Sequence, residues 1–323
     1  MIDKSTLRDC PILVTGAAGC IGAWTVKLLS ELGAIPVAFD LSEDRQRLEL
    51  IMKGFPAVIW EVGDITDFER LKAVIDAYKV EAIIHLAALQ VPFCKSDPIG
   101  STKINVVGTA NILELARQRG ISRLCYASSI AAQAMADNEW LATLYGAHKL
   151  CTEQMAAVYW QDWGIPSVGI RPAIIYGPGR DQGMSSAPTI AMLAASIGKA
   201  YEIPFSGSAS YVHVEDAALR FIKAVAKSYN GAFVFDLDGT PSSIEDVIAL
   251  IKVNRNDCQI SFKGSAMPFP ADTDNGKLNA FLGINQCRPF PLGIKHTMGV
   301  FDQARDRGLD LNQLLDEIIR RNS

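Results

Sequence analysis

Tyr145 and Lys149 stand four residues apart in Tyr145-Gly146-Ala147-His148-Lys149, so on a helix both point to one face. A phenol ordinarily ionises near pH ~10. An ammonium beside it favours the phenolate, which suits Tyr145 to exchange a proton with a substrate oxygen nearer neutral pH. Ser128-Ser129 ends the apolar run that precedes this segment. A serine hydroxyl at that edge would polarise the same oxygen. Taken alone, a tyrosine four residues before a lysine is common and most often marks an exposed pair. The added serine turns it into a candidate site for chemistry at a secondary alcohol or ketone.

Such chemistry needs a hydride carrier, and the N-terminal region supplies a place for one. The apolar run Pro11-Ile12-Leu13-Val14 leads into Thr15-Gly16-Ala17-Ala18-Gly19-Cys20-Ile21-Gly22, whose glycines are spaced three apart. Gly16 permits the tight turn, Gly19 lets the backbone approach a pyrophosphate, and Gly22 lets the following helix pack on the strand. The helix N-terminus then faces the phosphates with free N–H groups and its positive dipole end. Cys20 and Ile21 belong to the same cofactor-binding turn; the Cys20 thiol itself reads as a small packing group. Asp40 closes the second apolar run, where an acid binds ribose hydroxyls and repels the 2′-phosphate of NADP, so NAD is the expected cofactor. Arg45 and Arg47, a little further on, leave NADP open. Asp64-Ile65 follows the third run, where the acid would bond the adenine amino group and Ile65 would pack on the ring.

These residues need a frame. Short apolar runs alternate with helical patterns: strands at 11–14, 35–39, 58–62, 81–86, 123–127 and 167–171, and helices at 21–32, 105–119 and 145–163. That order predicts an α/β fold, a Rossmann-type doubly wound parallel sheet with both faces covered. After Gly177 the pattern loosens, with helices at about 187–197, 214–227, 244–253 and 294–307 and a strand at 232–236. The expected organisation is an NAD-binding domain over 1–177, with returns from the later chain, and a smaller C-terminal α/β substrate-binding lobe drawn mainly from 178–323.

The 323 residues are 49% hydrophobic and 20% charged, with a net charge of −4, which is globular composition with no basic stripe for nucleic acid. The N-terminus carries charges and lacks the apolar core of a signal peptide, and no stretch reads as a membrane span. Seven scattered cysteines without CxxC spacing read as reduced thiols in a cytoplasmic protein. No metal site is expected.

The chain resembles the extended short-chain dehydrogenase/reductases, the NAD-dependent epimerase/dehydratase family. The matching residues are the glycine turn at 16–22, Asp40, Asp64-Ile65, His85-Leu86-Ala87-Ala88, Asn105-Val106-Val107-Gly108-Thr109, Ser128-Ser129, Tyr145 with Lys149, and Arg171-Pro172 followed by Tyr176-Gly177-Pro178. They follow the family's order through about the first 180 residues, and Val212-His213-Val214-Glu215-Asp216 extends the match. The resemblance implies that Tyr145 is the acid/base, that Lys149 binds the nicotinamide ribose and lowers the tyrosine pKa, and that Ser129 holds the substrate oxygen. It further implies that Ala87 and Ala88 pass along the cofactor, that Asn105 supports the cofactor-side framework, and that the Asn105 and Tyr145 helices form a homodimer interface.

Departures from the family narrow the substrate. Dehydratases carry an Asp-Glu pair just after the catalytic hydroxyl, and Ile130-Ala131 stands there instead. Nucleotide-sugar enzymes usually have an arginine that clamps the diphosphate before the second-lobe motif; Ser206 to His213 contains none. The loop Gly179-Arg180-Asp181-Gln182-Gly183-Met184-Ser185-Ser186 brings a cation and hydroxyls, so Arg180, Ser185 and Ser186, with Gln90, are candidate contacts to a carboxylate or hydroxyl of a small substrate. A solvated surface loop is the plainer alternative. Phe233-Val234-Phe235-Asp236-Leu237-Asp238-Gly239-Thr240 resembles the nucleophile motif of haloacid-dehalogenase phosphatases, but the tail after it is short and Pro-rich for that fold. The expected activity is NAD-dependent hydride transfer on a small sugar, polyol or sugar acid. The alternatives are a sugar or nucleotide-sugar epimerase that uses the same residues and retains its cofactor, and a catalytically silent NAD-binding protein.

Overall fold

A computed structural model describes residues 6–54, 58–133, 142–266, 276–284 and 287–322. Its strands are β1 (Pro11–Thr15), β2 (Ile35–Asp40), β3 (Ile59–Val62), β4 (Ala82–His85), β5 (Arg123–Ala127), β6 (Ser167–Pro172), β7 (Ile174–Tyr176), β8 (Tyr201–Ile203), β9 (Ser208–His213), β10 (Ala232–Leu237), β11 (Thr240–Ser243) and β12 (Ile260–Phe262). The helices are α1 (Cys20–Glu31), α2 (Gln46–Ile51), α3 (Phe68–Tyr78), α4 (Val91–Ser96), α5 (Pro98–Thr102), α6 (Gly108–Arg119), α7 (Leu144–Trp163), α8 (Ala187–Ser196), α9 (Val214–Ala224), α10 (Ile244–Asn254), α11 (Gly276–Leu282), α12 (Phe290–Asp306) and α13 (Leu311–Asn322).

Seven strands form one parallel sheet in the order β3-β2-β1-β4-β5-β6-β10. Alternation along each strand sends side chains to opposite faces. Ile12, Val14, Ala38, Ile84, Cys125, Val168 and Ile170 enter one core with α1, α8, α9 and α12. Leu13, Val37, Phe39, Ile83, Leu124 and Tyr126 enter a second core with α3, α6 and α7. Both faces are therefore covered, as near-continuous apolar strands require. The chain reverses direction across the sheet between β1 and β4, and a ligand crevice opens outside the carboxyl ends of strands at such a point.

The later chain returns to this sheet. β10 pairs with β6 in register from Ala232↔Ser167 to Leu237↔Pro172, and α9 packs against α1. A three-stranded sheet, β11-β9-β7, and a two-stranded one, β12-β8, complete the described strands. Helix α3 escaped the sequence reading, although Asp67 caps it by accepting from Arg70 N and Leu71, Val74 and Ile75 form its buried stripe. Helix α12 starts four residues before the expected 294, because Pro291 lies in the first turn, where its missing N–H costs nothing.

Candidate functional site

The turn after β1 is built by absent side chains. Gly16 has φ +70, and a Cβ there would lie 2.7 Å from Ala87 N. At Gly22 a Cβ would lie 2.8 Å from Ala17 Cα and closer still to Gly16 O. Gly19 caps α1 with no side-chain hydrogen bond, and the first turn of α1 contains no acidic residue. The amides at that helix end are thus open to an anion. Asp40 Oδ2 accepts from Ala18 N at 2.9 Å and Oδ1 from Leu41 N at 2.8 Å, which fixes the carboxylate at the end of β2. Burial raises the Asp40 pKa against the lowering effect of those amides.

A cleft of about 790 Å³ runs from this turn past the ends of β2, β4, β5 and β6. It is lined by Gly16, Gly19, Cys20, Ile21, Gly22, Asp40, Asp64, Ile65, Ala87, Ala88, Gln90, Ser129, Tyr145, Lys149, Arg180 and Ser185. The expected cofactor, catalytic and substrate residues therefore meet around one space, with two exceptions. Asn105 lies behind the wall: its Oδ1 accepts from Leu89 N at 2.7 Å and its Nδ2 donates to Leu89 O at 3.0 Å. It clamps the backbone that carries Ala87, Ala88 and Gln90, a framework position. Ser186 turns away altogether; it is buried and its Oγ donates to Gly183 O at 2.6 Å, so the substrate-contact expectation is withdrawn for it.

Thr143 starts α7 by accepting from Gly146 N, and the helix carries Tyr145 and Lys149 into the cleft. Lys149 Nζ donates to Ala127 O at 2.6 Å and sits 5.7 Å from the centre of the Tyr145 ring. Burial lowers the Lys149 pKa to about 8. Burial likewise pushes the Tyr145 phenol up to about 12, against the opposing effects of a hydrogen bond with Ser129 and the charge of Arg180. Desolvation thus outweighs the charge of Arg180 in the protein alone. Desolvation pushes the half-buried Cys20 thiol up to about 12 and keeps it protonated, a packing group in the turn.

Several residues around the site were not anticipated. Ser128 Oγ donates to Glu153, whose carboxylate accepts from Arg171 Nε at 2.7 Å and Nη2 at 2.6 Å. Arg171 reaches Asp236, which also accepts from Gln133 Nε2 at 3.0 Å. Asp236 is therefore tied into a brace behind the serine edge, and Asp238 accepts from Ser210 Oγ. The two acids of the phosphatase-like motif are occupied structurally, at the edge strand of the main sheet. Glu153 sits one helical turn after Lys149, on the same buried face, and that spacing was the signal available for it. His85 bridges Thr15 and Thr109 at 2.7 and 3.1 Å and is held neutral by burial, its pKa lowered to about 3.

On the far wall, Arg180 Nη1 donates to Gln90 Oε1 at 3.3 Å and Nη2 to Ser185 Oγ at 2.9 Å. Arg47, the residue that left NADP open, has its guanidinium on Asp181 at 2.7 Å and on Ala18 O at 2.7 Å. Arg45 pairs with Glu43 and lies over Trp60.

Away from the cleft, His213, Glu215 and His296 bring ligand-type atoms within 4.8 Å of one another. Their hydrogen bonds argue against a metal ion. His213 Nδ1 accepts from Glu215 N at 3.2 Å, so its proton sits on Nε2, the atom facing His296. Arg288 already holds Glu215 at 2.6 Å and would repel a cation. Among the described residues, no helix is long and apolar enough to cross a membrane.

Comparison with known proteins gives a consistent result. Residues 12–234 match the model of the NAD dependent epimerase/dehydratase family. A UDP-glucose 4-epimerase from Rhizobium leguminosarum bv. trifolii is 30% identical over 269 residues, 75% of this chain and 81% of the relative. A UDP-glucose 4-epimerase from Mycolicibacterium smegmatis is 30% identical over 226 residues, 66% and 72% of the two chains. Among solved structures, a UDP-glucose 4-epimerase from Thermotoga maritima superposes with a TM-score of 0.77 at 23% identity, covering 91% of this chain and 99% of the other. An L-threonine dehydrogenase from Cupriavidus necator superposes with a TM-score of 0.77 at 20% identity, covering 90% and 99%. At those identities the superpositions speak for the fold.

Proposed function

The chain belongs to the NAD-dependent epimerase/dehydratase family, and from that premise we propose that it transfers a hydride at a secondary alcohol or ketone of a small sugar, polyol or sugar acid. The observation that carries this reading is the charge of the substrate wall. Three cations line the cleft: Arg47, Lys149 and Arg180. Arg47 is paired with Asp181 and Lys149 is directed at Ala127 O. Among the described cleft residues, Arg180 is the one arginine without a carboxylate partner, and its contacts are the exchangeable Gln90 and Ser185. One guanidinium flanked by a hydroxyl and an amide suits a single carboxylate or a vicinal diol better than a diphosphate.

The site fits NAD on three counts: a three-glycine turn that lines the cleft, an uncapped helix end, and Asp40 beside that turn at the end of β2. NAD, when bound, supplies the hydride acceptor. Gly16, Gly19, Cys20, Ile21 and Gly22 would hold its pyrophosphate, Asp40 its adenosine ribose, and Asp64 with Ile65 its adenine. In the oxidative direction Ser129 Oγ holds the substrate hydroxyl and the Tyr145 phenolate oxygen takes its proton. Lys149, anchored by Ala127 O, keeps a positive charge beside the phenol. Residues 1–177 would carry the cofactor and 178–323 mainly the substrate side. The protein would act in the cytoplasm as a homodimer through α6, the helical turn at 103–107 that leads into it, and α7, where Val107, Val158 and Trp163 stand 45%, 46% and 50% exposed.

The relatives that are UDP-glucose 4-epimerases favour a second reading, in which the same residues oxidise and re-reduce a nucleotide sugar. The deciding experiment has two arms. Denaturing the purified protein and measuring NAD(H) released per chain separates an exchanging cofactor from a retained one. A panel of small hydroxy acids and polyols followed by NADH absorbance, and of UDP-sugars followed by analysis of the sugar product, with wild type and Arg180→Ala, then tests the wall. A raised KM at unchanged kcat for an acidic substrate is expected. Stoichiometric cofactor release together with turnover of UDP-sugars alone would replace the dehydrogenase reading with the epimerase.

A further inference from the structure

Arg47 and Asp181 come from opposite sides of the cleft, one from α2 after the cofactor strand β2, the other from the loop that carries Arg180. Both are well covered, with side chains 13% and 9% exposed. The pairing is bidentate: Nη2 to Oδ1 at 2.7 Å and Nε to Oδ2 at 3.1 Å. The remaining guanidinium contacts are also filled, Nη1 by Ala18 O at 2.7 Å and Nε additionally by Gly179 O at 3.2 Å. Ala18 is the same residue whose N–H is held by Asp40. Asp181 in turn is fixed from behind, because its carbonyl accepts from Asn322 Nδ2 of α13 at 2.8 Å.

The position of this pair matters because Arg47 lines the cleft together with Asp40, Leu41, Ser42 and Asp44. An arginine beside the adenosine ribose is the group that would receive a 2′-phosphate, bidentately and with full charge. Here that arginine is neutralised and turned away by a carboxylate of the substrate-side loop. We propose that Asp181 is a specificity-determining residue for the coenzyme: by holding Arg47 it withholds from NADP the guanidinium nearest Asp40. Discrimination against NADP then has two sources, repulsion by Asp40 and sequestration of Arg47, and the second is imposed from outside the dinucleotide-binding motif. This inference rests on the reading of the cleft as an NAD site.

The test is calorimetric binding of NAD and NADP to the full chain at fixed ionic strength. Asp181→Asn removes the charge that holds Arg47, and the ratio of NADP to NAD affinity is expected to rise about tenfold or more, the scale of one charge-assisted contact to phosphate. Adding Arg47→Leu should return the ratio to that of the wild type. Arg47→Leu alone should leave the wild-type ratio unchanged, because the arginine is already committed; this arm decides even if Asp181→Asn does not fold. An unchanged ratio in Asp181→Asn that still binds NAD overturns the proposal. So does a several-fold loss of NADP affinity in Arg47→Leu alone. Cofactor-stripped wild type that binds neither nucleotide would overturn the NAD reading itself, a different failure.

Discussion

Replacing Lys149 with methionine should make the protein more stable at neutral pH while removing its activity. Lys149 is 4% exposed, and burial lowers its pKa from 10.5 to about 8. That difference corresponds to about 3 kcal/mol by which the folded chain disfavours the ammonium. The sign follows from linkage. Below pH 8 both the folded and the unfolded chain carry the proton, and the penalty is present in full. Between pH 8 and 10.5 the folded chain loses its proton before the unfolded one, so the wild type gains stability as pH rises. Methionine has a similar length and no charge, but it removes the bond to Ala127 O, which costs about 1 kcal/mol. The net expectation is a variant about 2 kcal/mol more stable than wild type at pH 7, with the advantage shrinking and then reversing toward pH 10.5. Urea denaturation of cofactor-stripped protein at a series of pH values measures it. A variant less stable than wild type at pH 7, or a difference that does not change with pH, would refute the reasoning.

Gly22→Val places a branched side chain where a Cβ alone would lie 2.8 Å from Ala17 Cα, so α1 must move off the turn; NAD binding should vanish in titration calorimetry while far-UV dichroism persists. Glu153→Ala leaves Arg171 with only the 3.4 Å contact to Asp236 and Ser128 without its acceptor, and should cost about 3–5 kcal/mol in chemical denaturation. Tyr145→Phe removes the proton acceptor without altering packing; kcat should fall by about 10²–10⁴ with NAD affinity unchanged.

The cofactor half was legible because its signals are local. The glycines sit within one strand–turn–helix unit at fixed spacing, and Asp40 closes the next apolar run, so their pattern shows in the sequence although Gly16 packs against the distant Ala87. Strands β1, β2, β4, β5 and β6 were readable for a related reason: burial on both faces leaves short apolar runs between helices. The substrate half was harder. Strands β7, β8, β9, β11 and β12 are three to six residues long and include polar runs such as Thr240–Ser243, so neither period nor apolarity marks them. Ser186 shows the limit at one position. A serine next to Ser185 in a polar loop offers the same chemistry on paper, yet the backbone at Gly183 turns it inward.

Sequence alone determined that a parallel α/β sheet would carry a glycine turn after β1, that Asp40 would close β2, and that a serine, a tyrosine and a lysine would stand near one another. Those follow from strand and helix periods and from a motif within one strand–turn–helix unit. Only the tertiary structure decided what each charge does. Arg47 and Asp181 are 134 residues apart, Arg171 and Asp236 are 65, and no local pattern joins them. Whether an arginine awaits a ligand or is already satisfied depends on which carboxylate the fold brings beside it, and in a buried site that pairing fixes both the charge and the direction of the side chain.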